Sequence, residues 1–414
     1  MAKSVIANSG MGSGFWTLWT ATAFSNLGDG IIKFLLPVLA AKTTSSPALV
    51  AGVSFMATLP WLLFSLPIGA IVDRVDRKKL ITLINLFRVA VVMTLFLAAA
   101  DGWLHIYVLY LLAVVLGVCE TFSDTASGSL VPSVVPRDRL EQANARIFSV
   151  ETITNRFVGG PLAGFFISIS ISMTVLSGSF TYLMTVIVLL FLRGDFKAAR
   201  TSKSSIRKDI AEGVRFLWSN QILRTLAIMV AVMSGCWSAF FSLLVLHAVA
   251  PGPLQLNEFG YSMLLTALAA GSLAGAAMVG PIQKILGRRG LLGIDIVGTI
   301  VMLAVPALTS NVWLVGAAIF LGGFGGATWS VGVATIRQNL IPDELLGRVY
   351  AAYRLVGWGT LSLGAIVAGM IAEVASVPVV FLGGALINLA LFIPMITVLT
   401  KENLDEARLE AKTI

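Results

Sequence analysis

Asp29 and Lys33 stand one helical turn apart in an apolar run, as do Glu120 and Asp124 in a later one, and residues at that spacing share a helix face. Arg88 stands in the middle of a third run, and Glu151, Asn155 and Arg156 punctuate a fourth. Charges in such surroundings are costly and mark ion pathways, proton relays or buried partners. A carboxyl held there can take up and release a proton. Asp29 and Glu120 are therefore the candidates to carry one, with Arg88 and Arg156 as the balancing cations. At each position the competing reading is a static ion pair: Asp29 with Lys33, and Arg146 with Glu151. The second half of the chain is poorer in such groups, with Asp295 and Arg354 expected near inner helix ends and Glu373 near an outer one.

The elements that must hold these groups follow from composition. Of 414 residues, 57% are hydrophobic and 12% charged, which places the chain in a bilayer rather than in water. A span needs about 20 mostly apolar residues, and about twelve such stretches, separated by short polar breaks, fill nearly the whole chain. They begin near Phe15, Pro47, Leu80, Leu104, Ala143, Ser172, Leu223, Phe259, Leu291, Val312, Val349 and Val377. The fold class is an all-α membrane protein, and the first span reads as uncleaved.

The net charge of +8 does not point to nucleic acid, because the basic residues alternate from break to break. Arg74, Arg77, Lys78 and Lys79 follow the second span, Arg137 and Arg139 the fourth, and Lys284, Arg288 and Arg289 the eighth. The intervening breaks around Thr44, Asp101, Ser170, Pro251, Asn311 and Ser376 carry almost none, Lys42 excepted. By the positive-inside rule the basic breaks and both termini are cytoplasmic. Cys119 and Cys236 fall inside spans and read as packing residues. His105 and His247, the only histidines, have no metal-ligand spacing around them, and there is no Gly-x-x-x-x-Gly-Lys-Ser/Thr phosphate loop. These observations disfavour a membrane enzyme and an ATP-driven pump, and no metal is expected.

The two halves echo each other at an offset of about 206 to 210 residues (Pro136 over Pro342, Asp73 over Gln283). SLVPSVVPRDRLEQANAR lies over TIRQNLIPDELLGRVYAA, and DRVDRKKL over QKILGRRG. Parallel six-span repeats are an architecture of secondary transporters. The expected organisation is a tail at 1–14, a six-helix bundle at 15–192, a cytoplasmic linker at 193–222, a second bundle at 223–400 and a tail at 401–414. Within the linker, Ile210, Val214, Leu217 and Trp218 fall on one face of an amphipathic helix, which suits the inner membrane surface.

Gly69-Ala-Ile-Val-Asp73-Arg74-Val-Asp76-Arg77-Lys78-Lys79, after the second span, resembles the signature loop of the major facilitator superfamily. The resemblance implies a cytoplasmic gate built on Gly69, Asp73, Arg74, Arg77 and Lys78, with Asp124 as the acidic partner of Arg77. Asp76 departs from the common pattern, which has glycine there. Gly160, Pro161 and Gly164 in the fifth span resemble the core of the antiporter motif, with Arg156 and Phe165 standing where that motif has glycine. Ser25-Asn-Leu-Gly-Asp29-Gly, with the Pro136 run, is most similar to the branch holding the enterobactin exporter, macrolide efflux proteins and Tap-type multidrug pumps.

In the family fold the first, fourth, seventh and tenth spans line the cavity. That makes Asp29, Lys33, Glu120, Trp237, Phe240, Phe241 and Trp329, with Trp358 of the eleventh span, the substrate-cavity candidates. Aromatic faces suit flat apolar compounds and cations. Trp16, Trp103 and Trp313 lie near span ends, as interfacial anchors do. The resemblance implies a monomeric exporter of small amphipathic or cationic compounds in the bacterial cytoplasmic membrane. It would be driven by proton antiport, with the proton gradient as energy source and no cofactor. Siderophore export and lysophospholipid flipping are the alternatives on the same fold, and a non-transporting receptor is disfavoured by the buried charges.

Overall fold

The computed structural model describes residues 11–72, 74–136, 139–194, 196, 206–341 and 345–400. The tail segments 1–10 and 401–414, linker residues 197–205 and Asp73 lie outside the described residues, as do the side chains of Arg156 and Trp358.

Helices follow one another almost without interruption: α1 (Gly12–Thr43), α2 (Pro47–Val72), α3 (Arg77–Ala100) and α4 (Ile106–Val134). Then come α5 (Leu140–Thr152), a π-helical turn (Ile153–Val158), α6 (Gly159–Ile169) and α7 (Ile171–Leu190). The linker helix α8 (Ile206–Ser219) leads into α9 (Gln221–Ala248), α10 (Glu258–Leu308) and α11 (Val312–Leu340). The chain ends with α12 (Leu346–Val374), α13 (Val377–Leu389) and α14 (Phe392–Thr397). Among the described residues no strand forms, only an isolated bridge between Val249 and Leu256.

Ten of these helical stretches are long and apolar enough to cross a membrane. One of the ten is double. The 51 residues of α10 would run for about 77 Å at 1.5 Å per residue, far more than the ~30 Å hydrocarbon core. The break is at Gly287, whose φ of 68° and ψ of −175° are open to glycine and strained for other residues. The fifth span is split differently: α5 and α6 continue one another through the π-helical turn. Counting α10 twice and the α5–α6 pair once gives the twelve crossings expected.

The polar breaks have a local purpose. Asp76, Ser170, Asn220, Asn257 and Asn311 each accept a hydrogen bond from a backbone N–H in the first turn of the helix that follows. Each satisfies an orphan donor that lipid cannot. Asp76 thereby explains its own departure from the signature pattern: it caps α3 through the Lys79 N–H at 3.0 Å, and α3 starts at Arg77 rather than near Leu80. Inside the spans, hydroxyls such as those of Thr82, Thr121 and Thr266 donate to the carbonyl one turn back.

Two compact units emerge. The first holds residues up to Leu35 together with Leu63–Thr201; the second holds Leu36–Leu62 and everything from Ser202 onward. The core of the first is built on Phe15, Leu18, Val72, Ala126, Leu130 and Leu189. In the second, Leu226, Met229, Leu292, Ile296 and Val349 form the centre. The Leu36–Leu62 hairpin is tied in by Lys42, 2.6 Å from Glu258, and by Glu373, which accepts from the Ser46 hydroxyl at 2.6 Å and the Ala48 N–H at 3.2 Å.

Helix α8 packs one side against α12. Gly213 and Leu217 are buried, whereas Val214 and Trp218 are exposed. The cause is close packing on α12, where a Cβ at residue 213 would fall on the carbonyl of Arg348, so the buried stripe centres on the glycine.

Candidate functional site

The first unit gathers charge from three helices. Arg88, on α3, is the largest fully buried side chain among the described residues. Its Nη1 lies 3.4 Å from Oδ1 of Asp29 on α1 and donates to the Ser25 hydroxyl at 3.0 Å. From α7, the Tyr182 hydroxyl donates to the same Asp29 oxygen at 2.8 Å, while the guanidinium rests 5.0 Å from the centre of the Tyr182 ring. Oδ1 of Asp29 is thus engaged twice. Oδ2 is buried without a hydrogen-bond partner among the described residues, as are Nε and Nη2 of Arg88.

One turn along α1, Lys33 reaches Oε1 of Glu120 on α4 at 2.6 Å. The pair is lopsided, with Lys33 half-exposed and Glu120 nearly covered. Asp29 therefore pairs with Arg88, and Lys33 takes Glu120 instead. Asp124 follows Glu120 by one turn on α4, partly buried. These five side chains hold three carboxyls against two cations.

Backbone packing fixes their places. A Cβ on Gly30 would fall on the carbonyl oxygen of Asn155 in the π-helical turn, and one on Gly159 would lie 2.7 Å from the Gly30 Cα. Only hydrogen fits at either position, so α1 and the π-helical turn meet backbone to backbone. Asn155 also donates to the Asn26 side chain at 3.5 Å. The close contact belongs to Gly159, whereas a Cβ at Gly160 would meet nothing within 4 Å. In the antiporter-like run, Gly164 is buried and Pro161 partly so.

In the gate motif, Arg77 donates to the Ser129 carbonyl on α4 at 3.1 Å, five residues beyond Asp124. Lys78 reaches the Leu192 carbonyl at 2.6 Å, and Arg74 is exposed. Gly69 faces open space: a Cβ there would meet no described atom within 4 Å.

The aromatic candidates divide. Phe240 is fully buried, with ring centres 4.9 Å from Phe381 and 5.2 Å from Phe241, and Trp329 belongs to the core of the second unit. Trp237 and Phe241 are partly accessible, 5.7 Å apart. The Trp237 indole N–H donates to Thr299 at 3.0 Å.

Tyr182 escapes a reading by residue type alone. Tyr182 sits among Ser179, Thr181 and Thr185, a polar stripe in an apolar helix that could have flagged it. Asp295, expected near an inner helix end, lies about 12 Å along the helix from the turn at Gly287 and is 3% exposed.

A family model described as transmembrane secretion effector matches residues 11–412. The chain is 26% identical over 385 residues to the multidrug efflux pump Tap of Mycolicibacterium fortuitum, covering 91% of each protein. It is 22% identical to macrolide efflux protein A of Streptococcus pyogenes, covering 94% of this chain and 97% of that one. Among solved structures, the nucleoside transporter NupG superposes with a TM-score of 0.75 at 13% identity, over 93% of this chain and all of that one, which speaks for the fold alone. The protein is accordingly a multi-pass transporter of the bacterial cell membrane, not an enzyme, and the chain belongs to the transmembrane secretion effector family of the major facilitator superfamily.

Proposed function

We propose that this transporter exports small amphipathic or cationic compounds, antibiotics among them, in exchange for protons by alternating access. The observation that carries the reading is the Asp29 carboxyl. One oxygen is committed to Arg88 and Tyr182, and the other is buried without a hydrogen-bond partner among the described residues, leaving an atom on which a proton can sit. Protonation removes the anion that faces Arg88 and changes the local charge by one. A cationic substrate nearby is then disfavoured, so proton and substrate compete and each biases the same two-state equilibrium. The excess of one carboxyl over the cations among Asp29, Glu120, Asp124, Lys33 and Arg88 gives either ligand something to neutralise. Each proton moved down a 100 mV potential supplies about 2.3 kcal/mol. Tap and the macrolide efflux protein support efflux of drugs as the task.

The test is accumulation of a panel of fluorescent cationic and neutral drugs in cells expressing the protein, with and without an uncoupler, beside Asp29→Asn. Lower accumulation that disappears with the uncoupler and in the variant is expected. Efflux that persists unchanged after the proton gradient collapses would overturn proton antiport, and unchanged efflux in Asp29→Asn would move the proton elsewhere.

A further inference from the structure

The second unit has a buried carboxyl that the scheme above does not use. Asp295 lies on the second arm of α10, 3% exposed, with Oδ1 unpartnered among the described residues. One turn on along the same helix, the Thr299 hydroxyl, itself fully buried, stands at the spacing that shares a helix face with Asp295 and accepts the indole N–H of Trp237 from α9. Helix α11 makes room for both ends of this chain with two consecutive glycines. A Cβ on Gly325 would stand 2.9 Å from Oδ1 of Asp295, and one on Gly326 would stand 3.1 Å from the Trp237 ring.

Among the described residues no cation pairs with this carboxyl. Helix α9 carries Arg224 at its start and Cys236 next to Trp237; α10 carries Lys284, Arg288 and Arg289 around Gly287; α11 carries Arg337; α13 and α14 carry no titratable group. Arg337 rests instead on the rings of Tyr353 and Tyr350, at 4.1 and 4.8 Å. The contrast with Asp76, whose carboxylate caps a helix, and with Asp29, which faces a guanidinium, is plain: Asp295 has neither structural task.

We propose that Asp295 is a second proton-binding site of this transporter, linked through Thr299 to the face of Trp237. A hydroxyl has one hydrogen to donate and two lone pairs to accept with. With Asp295 ionised, Thr299 donates to the carboxylate and accepts from Trp237. When water delivers a proton to Asp295, the new carboxyl O–H donates to the Thr299 oxygen, and the Thr299 hydrogen must turn to another acceptor. The release step runs in reverse and returns the proton to water. The Thr299 oxygen that holds the Trp237 indole N–H thereby gains or loses a second donor at each protonation change, and a compound stacked on that ring senses the proton. Only that last step rests on the export reading; the titration of Asp295 does not.

The measurement is infrared difference spectroscopy of the full-length protein in lipid nanodiscs, following the C=O stretch of protonated carboxyls as pH is stepped from acid to alkaline. A titrating band is expected that Asp295→Asn removes and Asp29→Asn leaves in place. Asp295→Glu, which keeps the carboxyl, should shift that band in frequency, and serves if the asparagine variant folds poorly. Trp237→Phe keeps an aromatic ring, though a smaller one, and deletes the N–H, and should move the midpoint of the Asp295 band. A set of titrating bands identical in wild type, Asp295→Asn and Asp295→Glu overturns the proton site. A midpoint unmoved by Trp237→Phe overturns the link to the aromatic face. Failure of Asp29→Asn to remove any band would count against the export scheme while leaving the Asp295 assignment standing.

Discussion

The two units treat buried polarity in opposite ways. In the first, Arg88, Asp29, Tyr182 and Ser25 answer one another within 3.4 Å, and Lys33 and Glu120 add a second pair beside them. In the second, α10 and α11 meet through glycine: a Cβ at Gly271 or Gly323 would fall on a backbone carbonyl of the facing helix. Its buried carboxyl, Asp295, has no cation beside it among the described residues. Both units use close glycine contacts, but the first adds charge pairs, while the second adds aromatic rings and a lone acid. Fold and site are separable, so two helical units of one chain can carry different chemistry.

The sharpest way to break that contrast is to remove the cation from the first unit. Arg88→Leu leaves the Asp29 carboxyl buried without its partner, and stripping one member from a buried pair costs about 3–5 kcal/mol. Unfolding of the purified protein in detergent should show it as the largest single loss. Asp29→Asn combined with Arg88→Leu should recover a good part, because the neutral amide no longer needs a counter-charge. Asp295→Asn, which has no cation to orphan, should cost far less. If Arg88→Leu is no worse than Asp295→Asn, the pairing in the first unit is not what stabilises it.

Glycine substitutions sharpen the other side of the comparison. Gly271→Ala must push α10 and α11 apart and should cost about 1–3 kcal/mol, the usual penalty of overpacking. Gly30→Ala should behave alike, since it meets the Asn155 carbonyl. Gly69→Ala faces open space and should stay within about 0.5 kcal/mol of wild type, so any transport defect it shows arises in another conformation of the transport cycle. Thermal unfolding of the three variants, with transport assayed on Gly69→Ala, separates these cases.

How far the sequence could carry these conclusions depended on the range of the interaction concerned. Spans are local: about 20 apolar residues between caps such as Asn220 or Asn311 are visible in one window, and the twelve crossings were legible. The charged candidates on α1, α3 and α4 were legible too, because a charge in an apolar run is conspicuous whatever surrounds it. Partnership was not. Spacing alone favours Asp29 with Lys33, yet helix packing gives Asp29 to Arg88 and Lys33 to Glu120. The burial of Asp295 was not legible, because it depends on the close approach of α11 at Gly325, although the basic run Lys284–Arg289 marked the turn before it. The packing of α8 on α12 was not legible either: close approach to Arg348 demands a glycine at residue 213, a contact between segments far apart in the chain.

The smallest stability effects should carry the most functional information. Lys33–Glu120 and Arg348–Glu212 are both short ion pairs, at 2.6 and 2.5 Å, and each has a member at least a third exposed. Partly exposed pairs contribute about 0.2–1 kcal/mol, so Glu120→Gln and Glu212→Gln should lower the unfolding temperature little and about equally. Their effects on transport should part. Glu120 sits among the charges of the first unit, where losing one carboxyl balances the two cations and leaves no net negative charge for a proton or a cationic compound to neutralise. Uncoupler-sensitive drug efflux should fall steeply in Glu120→Gln. Glu212 lies on the linker helix α8, outside that set, and Glu212→Gln should pump like the wild type. Equal pumping by both variants would mean that the charge excess in the first unit is structural, because two pairs of matched strength would then be interchangeable in function as well as in stability.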